Sequence, residues 1–477
     1  MGGEAKRKAS GQAPVKSSNG GKCELLIRNG MVFTMDQNRN VYSNGAVAVD
    51  GNRIVAVGSD REITARFQAD RVVDARGAAV HPGLYDAHAH VSLHTTRGAF
   101  PDSPSESEYQ GFFTQWMQAL SDEDEYASTL LASLEMLHNG VTCFLEPGTV
   151  FEPEAAASAA QKIGIRASVT DPYIWDRVAP GYHELDRAPL GFARAERLLG
   201  HELRRNSDPD ALVRGHLGLY GGATASDELE VAAKQIADQN GAILTQHQSF
   251  YIDDVKADDA RFGRHALVHF AEIGVLGPNC TFAHMNGIRD DEIAPVVESG
   301  LTIAWNPGNY MFYGIGAFFK QRAAELFHKG VSVAPGTDVA KVWGFGEQSF
   351  ISFLLARGQG QFLSAEDLLE MATLCGARAV GLQGKVGSLE PGMLADIVVR
   401  NQESPESQPA ANVLRDLTLI SRSKSVDTVI VNGKVVLRHG RLTNIEEEVV
   451  YNLAGASARR IAEKVGLKDT AKWPIRD

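Results

Sequence analysis

The sequence predicts an α/β chain in which a (β/α)8 TIM-like barrel is flanked by a small β-sandwich built from both chain ends. Three observations carry this. Between residues 81 and 384, eight short apolar runs alternate with longer amphipathic segments, the texture of parallel strands joined by crossover helices. On either side of that stretch lie β-rich runs punctuated by Asn-Gly and Asp-Gly pairs, which mark hairpins. The length of 477 residues exceeds that of a usual single-core domain, and a barrel with an attached unit accommodates it.

The elements follow in order. Residues 1–22 carry Lys6, Arg7, Lys8, Lys16 and Lys22 among Gly, Ser and Ala, with no apolar stretch. They read as a flexible tail and not as a signal peptide. Lys6 stands where a myristoylation signal carries Ser or Thr. From 23 to 80 the runs LLIRN, AVAVD, RIVAVG and RVVDA, separated by Asn29-Gly30 and Asp50-Gly51, predict a small antiparallel sheet.

The barrel strands at 81–384 are AAVHPGLYDAH, VTCFLE, IRASVTD, LVRGHLGL, AILTQH, CTFAH, LTIAW and VSVAPGTD. Among the helices between them, 123–139 places Leu130, Leu131, Leu134 and Leu137 on one face and stops at Gly140. A second runs from Asp227 to Asn240, and Ser364 with Asp367 makes a capping-box start for a third. At 385–445 the β texture returns in ADIVVR and in a hairpin turning at Asn432-Gly433, which completes the sandwich. Ser404 to Pro409 reads as a surface loop. Residues 446–477 form a tail with a helix from Tyr451 to Val465.

Composition excludes several classes. The 44% hydrophobic and 22% charged fractions are those of a globular chain, and no run of eighteen apolar residues suggests a membrane span. The net charge of −12 repels a phosphate backbone, so nucleic acid is not an expected partner. Cys23, Cys143, Cys280 and Cys375 are too dispersed for a disulfide framework or a thiolate zinc site, which suits a cytoplasmic location.

Barrel active sites are built at the carboxyl ends of the strands. His88 and His90 follow the first strand, His247 ends the fifth, His284 ends the sixth, and Asp338 follows the eighth. Two histidines one residue apart on extended chain point the same way, so His88 and His90 can bind one divalent ion, with His247 and Asp338 closing the shell. His284 is expected beside it. The other histidines read as packing or surface residues: His216 lies inside the fourth strand, and His265 and His269 share a helix face but lack the intervening Glu of a zincin. No G-x-G-x-x-G nucleotide loop is present.

The segments HPGLYDAHAH, AILTQH, FAHMNG, APGTD and GSLEPGMLADIVV, in this order, resemble the metal-dependent amidohydrolase superfamily, specifically its deaminase and chlorohydrolase branch. The resemblance spans roughly residues 23 to 445. It implies a hydrolase with one divalent ion (Zn, Co, Mn or Fe), a small-molecule substrate and a homo-oligomeric state. It further implies that Asp338 is both ligand and proton carrier and that His284 stabilises developing charge.

Two departures from the family pattern bear on the substrate. The fourth strand has no lysine to bridge a second metal, so one ion is expected. His247 is followed by Gln248, Ser249 and Phe250, whereas deaminase members carry a glutamate three residues on. Glu146 and Asp171 are candidates to replace that acid. Asn306, Asn309, Tyr310 and Phe312 are expected to line the pocket, and Trp175, Tyr173, Phe250 and Tyr251 to supply an aromatic wall. Lacking the ring-protonating acid, the site is expected to cleave an amide, urea, carbamate or thiocarbamate, in resemblance to phenylurea and molinate hydrolases. An N-heterocycle aminohydrolase or chlorohydrolase is the alternative, and a non-catalytic scaffold relative the rival from another class.

Overall fold

Strands buried on both faces read as continuous apolar runs, and the eight runs of the sequence do form a barrel. In the computed structural model, which describes residues 21–100, 106–179 and 191–467, one hydrogen-bonded series comprises Leu84–Asp86, Val141–Leu145, Arg166–Val169 and Val213–Gly215. The second comprises Leu217–Gly221, Leu244–Gln248, Cys280–His284, Thr302–Trp305 and Ser332–Pro335. All neighbours within each series are parallel.

The two series join at both ends. The fourth strand is interrupted at His216, whose backbone still donates to Val169 O at 3.0 Å while Leu217 N donates to Ile243 O at 3.0 Å. On the opposite side Ala87 N donates to Pro335 O at 2.9 Å and Asp338 N to His88 O at 2.7 Å, with a parallel bridge between Ala89 and Asp338. The ring therefore closes through the two segments that carry expected metal ligands.

The flanking unit is a nine-stranded sheet in the order Arg441–Leu442, Lys434–Arg438, Val426–Val431, Ile397–Arg400, Ala79–Pro82, Gly21–Phe33, Val41–Asp50 and Arg53–Ser59, with Phe67–Asp74 also on Gly21–Phe33. Its inner face mixes both chain ends: Leu25, Ile27, Val47 and Val80 pack with Ala395, Ile397, Val399 and Ile430. Three expectations are corrected. The first strand begins at Gly21 and runs through Asn29-Gly30, which is a bulge and not a turn; Asn29 takes a φ of 53° there while pairing resumes beyond it. Phe67–Asp74 pairs in parallel, because the helix Asp60–Arg66 carries the chain across. Ala79–Pro82 belongs to the sandwich, and the barrel starts at Leu84. The rest of the tail, residues 1–20, lies outside the described residues, as does His183.

The capped helices stand as read. Asp122–His138 starts at a Ser121/Asp124 capping box, Asp227–Asn240 stops at Gly241 with a φ of 58°, and Ser364 caps Ala365–Glu370. The tail helix, Glu447–Lys464, starts earlier than expected and packs on Asp122–His138, where Ser457 Oγ donates to Asp124 at 2.6 Å. A buried ion pair ties barrel to sandwich: Arg166 Nε, on the third barrel strand, donates to Asp396 at 2.6 Å. No helix among the described residues is long and apolar enough to cross a membrane.

Candidate metal centre

The strand ends bring five side chains together. His88 Nε2 and His90 Nε2 stand 3.1 Å apart, and His90 Nε2 and His247 Nε2 3.5 Å apart. Asp338 faces all but one of the histidines, at 3.5 Å from His90, 3.9 Å from His88 and 3.4 Å from His284. Donor atoms of His88, His90 and His247, and again of His88, His284 and Asp338, fall within 4.8 Å of one another. A tetrahedral shell with bonds near 2.0–2.1 Å sets neighbouring donors about 3.3 Å apart, which is the spacing found.

The tautomers can be read from the outer ring nitrogens. His247 Nδ1 lies 2.7 Å from the carbonyl of Tyr220, which can only accept, so Nδ1 carries the hydrogen and Nε2 offers a lone pair. His90 Nδ1 lies 3.1 Å from Thr149 Oγ1, whose own hydrogen goes to Glu146 at 2.5 Å; again Nε2 is left with a lone pair. Burial pushes His88 and His90 well below the usual histidine range, and lowers His247. These are neutral imidazoles, His90 and His247 with inward lone pairs and His88 with its Nε2 3.1 Å from that of His90, beside one carboxylate, a donor set that fits a single divalent ion.

His284 is built differently. Asn306 Nδ2 is held toward Ala304 O at 3.2 Å and therefore donates to His284 Nδ1 at 3.2 Å. The ring hydrogen then sits on Nε2, a buried nitrogen that faces Asp338 at 3.4 Å and makes no hydrogen bond among the described residues. His284 and Asp338 both hold left-handed backbone, with φ of 71° and 62°, a strain of about 1–3 kcal/mol for each such residue. The strands turn outward at these points, which aims both side chains at the same space.

Not every expected residue meets the pocket. Its lining comprises His90, His247, His284, Asp338, Phe250 and Asn309, with Tyr173, Tyr220, Tyr313, Phe113 and Lys341 among the rest. Phe250 stacks on His284 with ring centroids 3.9 Å apart. Tyr251 is one layer back, packed against Phe250 and Tyr313. Trp175 is corrected: it is buried behind Tyr173 and Tyr220.

Glu146 is corrected too. Its carboxylate accepts from Gly148 N, Thr149 N and Thr149 Oγ1 and is directed at the loop that orients His90; burial raises it to about 7. Asp171 accepts from His201 N at 3.1 Å and does not line the pocket. Asn306 positions His284, Tyr310 donates to Phe319 O at 2.5 Å, and Phe312 packs against Trp343. His216 bonds Ser168 at 2.8 Å, and His265 and His269 pair with Asp259 and Asp227 away from the centre. Sequence reasoning missed Lys341, Tyr220 and Thr149.

The chain Glu146–Thr149–His90 makes a prediction. Thr149→Val keeps the shape but removes the acceptor for His90 Nδ1–H, and loss of such a support typically weakens metal binding 10–100-fold. Competition with a chelator, compared between wild type and variant, is expected to show it. Equal metal retention would mean that Thr149 does not orient His90.

Comparison with known proteins agrees with this geometry. Residues 79–436 match the amidohydrolase family, and residues 45–67 match the imidazolonepropionase-like composite domain of bacteria. The chain is 31% identical to a 5-methylthioadenosine/S-adenosylhomocysteine deaminase of Syntrophobacter fumaroxidans, covering 92% of this chain and 99% of that one. It is similar in structure to an adenosine deaminase from Xanthomonas campestris with bound zinc, with a TM-score of 0.84 and 26% identity over 93% of this chain and 99% of the other. An atrazine chlorohydrolase from Arthrobacter aurescens TC1, complexed with zinc, shares the fold at a TM-score of 0.80 and 23% identity, covering 91% of this chain and 100% of that one. The chain thus belongs to the amidohydrolase family, as a metal-dependent hydrolase of non-peptide carbon–nitrogen bonds with a mononuclear centre.

Proposed function

We propose that this enzyme is an aminohydrolase that replaces an exocyclic amine on an sp2 carbon of an N-heterocycle with water. The observation that carries this is the aromatic lining of the pocket beside the histidine cluster. Phe250, stacked on His284, and Tyr173 with Tyr220, edge to face with each other, line the same pocket as the histidine cluster, an aromatic surround suited to a flat ring. The deaminase names of the relatives support the same substrate class.

His88, His90, His247 and Asp338 would hold the ion, which supplies Lewis acidity and makes water a nucleophile near neutral pH. Asp338 accepts the proton of the attacking water and returns it to the departing amine, so that water and the amino-heterocycle become the oxo-heterocycle and ammonia. His284, with its hydrogen on Nε2, donates to the atom on which negative charge develops. Asn306 keeps that tautomer in place.

A second reading has one specific observation in its favour. Phe250 occupies the place of the ring-protonating acid and presses on His284 at 3.9 Å, and an acyclic amide, urea, carbamate or thiocarbamate, such as a phenylurea, needs no such acid. Metal-loaded enzyme should be assayed on aminopurine nucleosides, cytosine, chlorotriazines, aryl ureas, carbamates and simple amides. The expected result is fastest turnover on an amino-heterocycle with release of ammonia. Faster cleavage of any acyclic substrate overturns the first reading and establishes the second. The enzyme is further proposed to act as a cytoplasmic homo-oligomer; its free cysteines suit a reducing compartment.

A further inference from the structure

Lys341 is a buried ammonium in the wall of the substrate pocket, and the mechanism above gives it no task. The residue is 3% exposed. Nζ donates to Asn309 Oδ1 at 2.8 Å and to Val339 O at 3.2 Å, both neutral oxygens. Tyr313, Trp343, Phe100, Phe113 and Phe312 surround it with ring centroids 4.9 to 5.7 Å away. Among the described residues no carboxylate forms an ion pair with it. Asp338, the one whose field acts on it, is turned to the histidines.

A buried cation without a counter-ion is costly, and neutral donors would hold Asn309 and Val339 equally well. The loop is also fixed in place. Trp343 Nε1 donates to Thr337 O at 3.2 Å, and its indole lies on Gly308 so closely that a Cβ there would come within 2.6 Å. Burial lowers the lysine to about 8, so it remains largely protonated at neutral pH. Neutral histidines and a single carboxylate leave a pocket holding a divalent ion with a positive balance, and Lys341 adds to it.

We propose that Lys341 is a specificity residue that anchors an anionic group, a carboxylate, on the substrate, with the aromatic ring of residues around it excluding water from the pair. The proposal rests on the reading that this pocket holds the substrate, and it stands whichever carbon–nitrogen bond is cut. It adds to the proposed function that the preferred substrate is a small acid.

The test uses metal-loaded full-length enzyme with benzoate and its neutral counterpart benzamide as probes, in calorimetric titrations of wild type, Lys341→Met and Lys341→Gln. Benzoate is expected to bind wild type more tightly than benzamide does, and to lose about 30-fold or more in affinity in both variants at unchanged metal content. Equal benzoate affinity in all three proteins would place the anion on the metal and overturn the proposal. So would equal affinity of wild type for the two probes. Substrate pairs with and without a carboxylate, on both heterocyclic and acyclic scaffolds, separate the two claims. Preference for the neutral member in every pair sinks the anchor, and preference for the acyclic scaffold sinks the aminohydrolase reading.

Discussion

Replacing any one of His88, His90, His247 or Asp338 by alanine is expected to remove the metal and the hydrolytic activity together. The donors are packed at 3.1 to 3.9 Å around one point, and a mononuclear shell has no ligand to spare. The loss should exceed the 10–100-fold in affinity that follows removal of a supporting hydrogen bond alone. Metal per subunit, measured by elemental analysis, and turnover after reconstitution check it, with circular dichroism confirming that the variants fold. Stoichiometric metal with full turnover in any of the four would sink the site.

That cluster was legible because its residues obey a positional rule. Each stands at the carboxyl end of a strand whose apolar run and glycine or proline punctuation mark its limits, and the H-x-H spacing puts two donors on one side of the chain. Glu146 and Asp171 satisfy the same rule, yet both turn away from the pocket to receive backbone N–H groups. Strand position fixes where a Cα lies, but side-chain direction depends on the turn that follows.

Lys341 was invisible for another reason. The residues around it come from positions 100, 113, 312, 313 and 343, so no local pattern distinguishes it from a surface lysine three residues after Asp338. Asn29-Gly30 shows the converse. Asn29 takes a positive φ as in a turn, but pairing on both sides carries the strand through it as a bulge.

His284→Asn is expected to retain the metal and to lower kcat by about 10²–10³-fold, the usual cost of removing one preorganised donor to developing charge. The structure separates His284 from the ligand histidines through hydrogen position. His90 and His247 spend their ring hydrogens on outer acceptors and face inward with lone pairs. His284 spends its lone pair on Asn306 and faces inward with a hydrogen. A group that donates a hydrogen bond from Nε2 has no electron pair there for a metal. The shorter asparagine keeps a polar end but cannot reach the position of Nε2, and it takes away the ring on which Phe250 stacks. Metal analysis distinguishes the outcomes. Unchanged metal with reduced kcat makes His284 the donor, whereas loss of metal in this variant would make it a ligand and would require Asn306 to turn its oxygen toward the ring.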